Sequence, residues 1–238
     1  MIEAMWKVLE MYGVNCRLLE AVKRFYVESE ACVRICRQES DWFNVKVGLR
    51  QGCVMSPWLF NVFMDGVMKE VQQKVGETGA SLWDARSNCA WKLGWLMYAD
   101  DTVLVADSEA ELQKLVEVFE SVCQKRKLSV NVSKSKVMTI SGSSDEEELN
   151  VSMGGRRMEE VRKYRYLGVD VSNDGRLHEE LSHRIGVARK NAGALKSLWR
   201  RRNVSREAKV GMFEGIVEPS LVYGSEVWVL NRSERKKV

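Results

Sequence analysis

The spacing of apolar residues changes period several times along the chain, and each change marks an expected element. Met5, Leu9 and Met11 form a helical stripe, Gly13 interrupts it, and Leu18, Leu19, Val22, Phe25 and Tyr26 resume it, which predicts two helices. Residues 31–36 and 42–47 are β-prone and flank the polar Gln38-Glu39-Ser40-Asp41, the pattern of a hairpin. A Gly-bounded loop at 48–53 leads to Ser56-Pro57, read as a cap and a first-turn proline for a long helix that buries Leu59, Phe60, Phe63, Met64, Val67, Met68 and Val71. Residues 76–88 read as a loop. Trp91, Leu93, Trp95 and Met97 then alternate as one face of a strand, and Tyr98-Ala99-Asp100-Asp101 turns the chain into Thr102-Val103-Leu104-Val105. Ser108 and Glu111 form a capping box for a helix through Leu112, Leu115, Val116, Phe119 and Val122. Short strands are expected at 128–132, 136–140 and 164–171, with an exposed acidic tip at Ser143-Ser144-Asp145-Glu146-Glu147-Glu148 between them. From 177 to about 216 the pattern is helical and basic, and the chain closes on apolar residues 221–230. No internal repeat is present. The order predicts an α+β domain over 1–175 followed by a helical segment over 176–238.

With 238 residues, 45% of them hydrophobic, the chain can bury a core, and its 2 prolines and 17 glycines fit neither the disordered nor the collagen-like class. No apolar stretch is long enough to cross a bilayer, and Met1–Lys7 has no basic region leading into an apolar core. The net charge of +4 hides an asymmetry: residues 1–120 hold 13 Lys/Arg against 18 Asp/Glu, and residues 121–238 hold 24 against 15. Nine basic residues and a single acidic one, Glu207, fall within 184–209. That segment is either a solvated helix face or a surface for a polyanion. Cysteines at 16, 32, 36, 53, 89 and 123 include no Cys-x-x-Cys pair, and His178 and His183 have none close by, so reduced, buried thiols are expected rather than a zinc knuckle or disulfides.

The two carboxylates of Asp100 and Asp101 at a hairpin tip repel each other and pack against nothing, which suits a divalent cation; an ordinary Asp-Asp turn is the alternative. Magnesium takes oxygen ligands, and two such ions about 4 Å apart lower the charge on the attacking and leaving oxygens of a phosphoryl transfer.

Four motifs occur in order: Gly48-Leu49-Arg50-Gln51-Gly52-Cys53-Val54-Met55-Ser56-Pro57-Trp58-Leu59-Phe60, Tyr98-Ala99-Asp100-Asp101-Thr102, Leu128-Ser129-Val130-Asn131-Val132-Ser133-Lys134-Ser135-Lys136, and Tyr164-Arg165-Tyr166-Leu167-Gly168. With them the chain resembles the reverse transcriptases of non-LTR retrotransposons and the related group II intron enzymes, over nearly its whole length. Residues 220–228 also look like the segment that follows the thumb in these elements. The resemblance implies an α+β partial polymerase palm, an antiparallel sheet with helices on one face, followed by a basic helical thumb. It implies RNA-directed DNA synthesis with an RNA template, a DNA primer, deoxynucleoside triphosphates and two Mg2+ ions. Asp100 would be the stronger metal ligand, with Asp101 beside it. Arg50, Gln51 and Gly52 match the loop against the incoming nucleotide and template, where a missing side chain at Gly52 lets the backbone approach closely. Lys136 matches the residue that protonates departing pyrophosphate, with Lys134 as the neighbouring candidate. Tyr166, Leu167 and Gly168 match the hairpin that supports the primer end. Arg184, Arg189, Lys190, Lys196, Arg200, Arg201 and Arg202 would then meet the phosphates of a template–primer duplex.

A further metal-binding aspartate of the family belongs to a strand that would lie just before Met1, and the template-holding fingers and an endonuclease domain do not match any part of this sequence. Asp65 and Asp107 have ordinary surface and capping explanations. The expectation is therefore a reverse transcriptase fragment with no detectable primer extension by itself, and an open strand edge beside the catalytic hairpin. The alternatives are a non-catalytic nucleic-acid-binding remnant of a decayed element and an unrelated magnesium phosphotransferase. No membrane association is expected, and oligomeric state is not legible.

Overall fold

The structure, a computed structural model, describes residues 2–27, 29–45, 48–84, 88–140, 149–230 and 235; the acidic tip at 143–148 lies outside them. The chain divides into two compact units, Met1–Ser135 with Asn150–Met158, and Lys136–Leu149 with Glu159–Val238.

Helices build the core of the first unit. Helix α1 (Ile2–Met11) buries Met5, Val8 and Leu9, and α2 (Cys16–Arg24) buries Leu19 and Val22. Met11, Leu18 and Phe25 stay exposed, so the apolar stripe of this pair is narrower than the sequence suggests. Four very short strands follow: β1 (Glu30–Ala31), β2 (Arg34–Ile35), β3 (Gln38–Glu39) and β4 (Phe43–Asn44), with β1 on β4 and β2 on β3. The turn of this nested hairpin falls at Cys36-Arg37, both at positive φ, and not in the polar stretch 38–41.

Helix α3 (Ser56–Val75) buries Leu59, Phe63, Met64, Val67, Met68, Val71 and Val75 at helical spacing, while Phe60 is half-buried. Its N-cap is Met55 rather than Ser56. Ser56 is buried, and its Oγ shares a hydrogen bond with the Tyr26 hydroxyl (3.1 Å). Strand β5 (Ala80–Asp84) forms where the sequence predicts a loop and pairs with β6 (Cys89–Leu93), and the strand read through 91–97 breaks at Gly94. Trp91 is consequently exposed, whereas Trp95 and Met97 of β7 (Trp95–Tyr98) and Leu104 of β8 (Asp101–Leu104) pack on the helical core.

Ser108 caps α4 (Glu109–Lys125), its Oγ accepting from Glu111 N. Glu111 does not reciprocate on Ser108; its Oε2 accepts from Asp107 N and its Oε1 from Gly79 N. Helix α4 buries Val116, and it buries Leu115, Phe119, Val122 and Cys123 in the core it shares with α3. Each such side chain contributes roughly 1.5–3 kcal/mol. The half-buried carboxylate of Glu70 fastens the two helices, accepting from Lys125 Nζ (2.7 Å) and from Arg126 Nη2 (2.7 Å).

No strand forms over 128–132. Leu128 and Val130 pack against the core, and Asn131 organises a turn by accepting from Ser133 Oγ and Lys134 N. Strand β9 (Lys136–Val137) begins the second unit, and the hairpin β10 (Ser152–Met153) with β11 (Arg156–Arg157) returns to the first, tied to α4 by Gln113, which bonds both Ser152 N (2.7 Å) and Ser152 O (3.1 Å).

In the second unit β12 (Glu159–Glu160) runs parallel to β9, and β13 (Lys163–Tyr166) pairs antiparallel with β14 (Val169–Ser172). Helices α5 (His178–Ala194), α6 (Lys196–Trp199), α7 (Arg206–Met212) and α8 (Glu218–Val222) follow, with a π-helical turn at Phe213–Val217 and a 3-10 turn at Ser225–Val227. Leu181, Ala188 and Val217 are buried here. The fold is α+β, as expected, but among the described residues the strands pair only in twos, one pair of them parallel, and build no continuous antiparallel sheet. No helix among them is long and apolar enough to cross a membrane.

Candidate active site

Strands β7 and β8 hold the register Trp95↔Leu104, Leu96↔Val103, Met97↔Thr102 and Tyr98↔Asp101. Opposite residues share a face, so Trp95, Met97 and Leu104 anchor the ribbon while Tyr98 and Asp101 lie on its outer side. Ala99 takes φ 52° to close the turn, and Asp100 sits at its tip. Both aspartates are exposed, and among the described residues neither side chain makes a hydrogen bond or ion pair. The ribbon has two strands only, so both of its edges lack a strand partner among the described residues.

Two adjacent carboxylates with no internal partner are hard oxygen donors open to solvent, the type magnesium accepts. Among the described residues no group of three or more His, Cys, Asp or Glu forms a complete cage. The pair therefore fits a metal that draws its other ligands from phosphate oxygens and water. Asp65 and Asp107 are engaged elsewhere: Asp65 accepts from the Tyr12 hydroxyl and pairs with Lys69 (3.1 Å), and Asp107 accepts from Ser81 N (3.0 Å) and Ser81 Oγ (2.6 Å).

The glutamine–glycine loop is held at both ends. Cys53 N bonds Arg50 O (3.3 Å), and the Arg50 guanidinium donates twice to Ser29 Oγ, at 3.2 and 2.9 Å. Gln51 and Gly52 are exposed. Gly52 sits at φ +80°, and a Cβ placed there would meet nothing within 4 Å, so its glycine serves the turn's left-handed backbone rather than relieving crowding. The backbone N–H of Met55, ahead of the hydroxyl and N–H of Ser56, holds the Cys53 thiol below its ordinary range. Cys123, by contrast, is pushed up to about 11 by burial. All six cysteines are free, but only Cys123 is buried; Cys16, Cys36 and Cys89 are exposed, so the expectation of buried thiols holds for Cys123 alone.

A family comparison decides what this arrangement belongs to: residues 3–171 match the model described as reverse transcriptase (RNA-dependent DNA polymerase). The chain belongs to the reverse transcriptase family. Relatives agree. The Pol polyprotein from the type-1 retrotransposable element R2 of Nasonia vitripennis is 25% identical over 197 residues, covering 79% of this chain and 18% of that protein. The RNA-directed DNA polymerase from the mobile element jockey of Drosophila melanogaster is 23% identical over 220 residues, 89% of this chain and 22% of that protein. The Pol polyprotein from the type-2 element R2DM of the same fly is 24% identical over 191 residues, 77% of this chain and 17% of that protein. These matches bear out the motif resemblance to non-LTR retrotransposon reverse transcriptases. The chain spans between 17% and 22% of the length of these relatives. Reverse transcriptases use a divalent metal, a nucleic-acid template and nucleotide substrates.

The remaining residues of interest in this reverse transcriptase chain lie in the second unit. Lys136 pairs through Nζ with Glu159 Oε2, a partner that sequence spacing does not reveal because it arrives through the parallel β9–β12 pair. Tyr166 ends β13, and Leu167-Gly168 forms the turn to β14. Arg189, Lys190, Lys196, Arg200, Arg201 and Arg202 are exposed, and among the described residues none pairs with a carboxylate. Arg184 departs from that set. It is buried, its Nε bonds Glu180 and its Nη2 bonds Gly168 O, so its charge is used inside the unit and does not face a duplex. The i,i+4 spacing of Glu180 and Arg184 is the available signal in the sequence, and the basic run conceals it.

Proposed function

We propose that this chain supplies the catalytic carboxylates and the basic thumb of an RNA-directed DNA polymerase, acting on an RNA template and a DNA primer with deoxynucleoside triphosphates and Mg2+. The observation that carries the reading is the exposed, unengaged Asp100-Asp101 pair at the tip of a core-anchored hairpin in a reverse transcriptase chain. Residues of the first unit through the β7–β8 hairpin act as part of a palm. Asp100 and Asp101 would hold the metal, which when bound offsets phosphate charge and lowers the pKa of the attacking hydroxyl. The loop Arg50-Gln51-Gly52 borders the nucleotide and template, with Ser29 fixing the Arg50 side chain in place. Lys136, oriented by Glu159, is the proton donor to the leaving group. Tyr166, Leu167 and Gly168 support the primer end. Arg189, Lys190, Lys196, Arg200, Arg201 and Arg202 receive duplex phosphates as a helical thumb.

Binding of a labelled RNA–DNA hybrid tests this reading. Affinity should fall by at least tenfold between about 50 and about 200 mM salt, because each neutralised phosphate releases counterion. Combined Arg200→Glu, Arg201→Glu and Arg202→Glu substitutions should abolish binding at the lower salt. Affinity independent of salt and of these substitutions would contradict the thumb assignment.

A further inference from the structure

Within the second unit, the side chains of Tyr223, Arg184 and Glu180 converge on the Leu167-Gly168 turn and the start of β14. The Tyr223 hydroxyl donates to Leu167 O (2.8 Å), and Arg184 Nη2 donates to Gly168 O. Arg184 Nε bonds one oxygen of Glu180, and the other oxygen of Glu180 accepts from Asp170 N (2.8 Å). The Arg184 guanidinium also lies over the Tyr223 ring, 4.6 Å from its centroid. Contact here is close: a Cβ at Gly168 would meet the Tyr223 ring at 3.3 Å, and one at Gly224 would meet Val169 Cγ2 at 2.8 Å. Both turn residues have positive φ, 48° at Leu167 and 81° at Gly168.

The energetics are unusual for a region that only needs to be stable. The Glu180 side chain is fully buried and that of Arg184 is 8% exposed. A buried ion pair gains little over an apolar pair of similar volume, and its groups are costly unless every one is satisfied. Here the contacts that satisfy them are spent on the backbone of Gly168 and Asp170, so the pair fixes a shape. A leucine at φ 48° is strained by itself and persists where its surroundings hold it.

We propose that Tyr223, Arg184 and Glu180 are positioning residues, a clamp by which the segment after the thumb helices sets the Leu167-Gly168 turn in the conformation that meets the primer terminus. The proposal rests on the reading of that turn as primer-supporting. It gives residues 220–228 a role, since Tyr223 reaches back across 56 positions of sequence to a backbone carbonyl and Gly224 leaves room for Val169.

The test has two arms on the same 238-residue chain. Amide hydrogen exchange at Asp170 reads the clamp directly, since its N–H is held by Glu180 and not by the β13–β14 ladder. Tyr223→Phe removes one hydrogen bond and keeps the ring under Arg184; it should speed exchange at Asp170 about fivefold while α5 core amides are unchanged. Photo-cross-linking from a 4-thiothymidine at the primer 3′ end of an RNA–DNA hybrid reads the positioning. The wild-type chain should cross-link to residues 164–168, and Tyr223→Phe should lower that yield about fivefold with hybrid affinity within about twofold of wild type. Tyr223→Ala should exceed Tyr223→Phe in both arms. Unchanged Asp170 exchange overturns the clamp. Faster exchange with an unchanged cross-link, or with hybrid affinity falling in parallel, overturns the positioning role. Absence of any wild-type cross-link at the turn overturns the primer-end reading and the positioning role with it, while exchange still scores the clamp.

Discussion

The hairpins β7–β8 and β13–β14 are built alike and finished differently. Each has two four-residue strands joined by two residues, and each sets the first turn residue at positive φ, Ala99 at 52° and Leu167 at 48°. At the first, two exposed carboxylates have no partner among the described residues. At the second, both turn carbonyls are bonded, one by Tyr223 and one by Arg184. A turn that must receive a ligand keeps its polar atoms available and takes rigidity from the core beneath its strands. A turn that must present a fixed backbone shape spends polar groups on itself.

Stability separates the two turns most. Arg184→Met leaves the buried Glu180 carboxylate unpaired and should destabilise the second unit by about 3–5 kcal/mol in urea unfolding. Asp100→Asn should leave the urea midpoint of the first unit unchanged or raise it, because only like-charge repulsion is lost. A large loss in Asp100→Asn would mean that the β7–β8 turn is held by its carboxylates after all.

Glu70 sharpens the contrast, since the first unit fixes a carboxylate away from its turn. The Lys125 hydrogen bond, followed by Arg126, lowers the Glu70 pKa from 4.5. A depressed folded pKa gives stability that is complete above the unfolded value and lost as pH falls through the folded one. Glu70→Gln should cost roughly 1–2 kcal/mol at neutral pH, and wild type and variant should converge below pH 4.5. Parallel stability curves across that window would remove the clasp from the account.

A smaller effect separates the thiols. Cys53, lowered by the Met55 N–H, should be alkylated at neutral pH faster than Cys16, while Cys123, raised to about 11 by burial, stays unmodified until unfolding. Mass spectrometry of a timed iodoacetamide reaction decides the order.

How much of this is legible from sequence follows from the range of the interactions. The helices show because their apolar spacing is local, and the Asp100-Asp101 turn shows because an apolar run stops and resumes around it. Strand β5 escapes a sequence reading because Leu82 and Trp83 gain their β pairing only from 89–93 across the hairpin. The expected strand at 128–132 fails because Asn131 satisfies its neighbours' donors in a turn, which alternation does not register. Arg184 reads as a surface charge because composition reports how many charges a helix carries and not which side they take. Its partner Glu180 is one helical turn away, but Tyr223 and the Gly168 carbonyl come together only in the folded unit.

The most direct measurement is the affinity of the chain, loaded with an RNA–DNA hybrid, for the template-matched deoxynucleoside triphosphate in Mg2+. Asp100→Asn and Asp101→Asn should each weaken nucleotide binding by at least about tenfold, the scale of one lost charge-assisted contact, with hybrid affinity unchanged. Nucleotide binding that is equal in wild type and both variants would contradict the claim that this turn holds the metal.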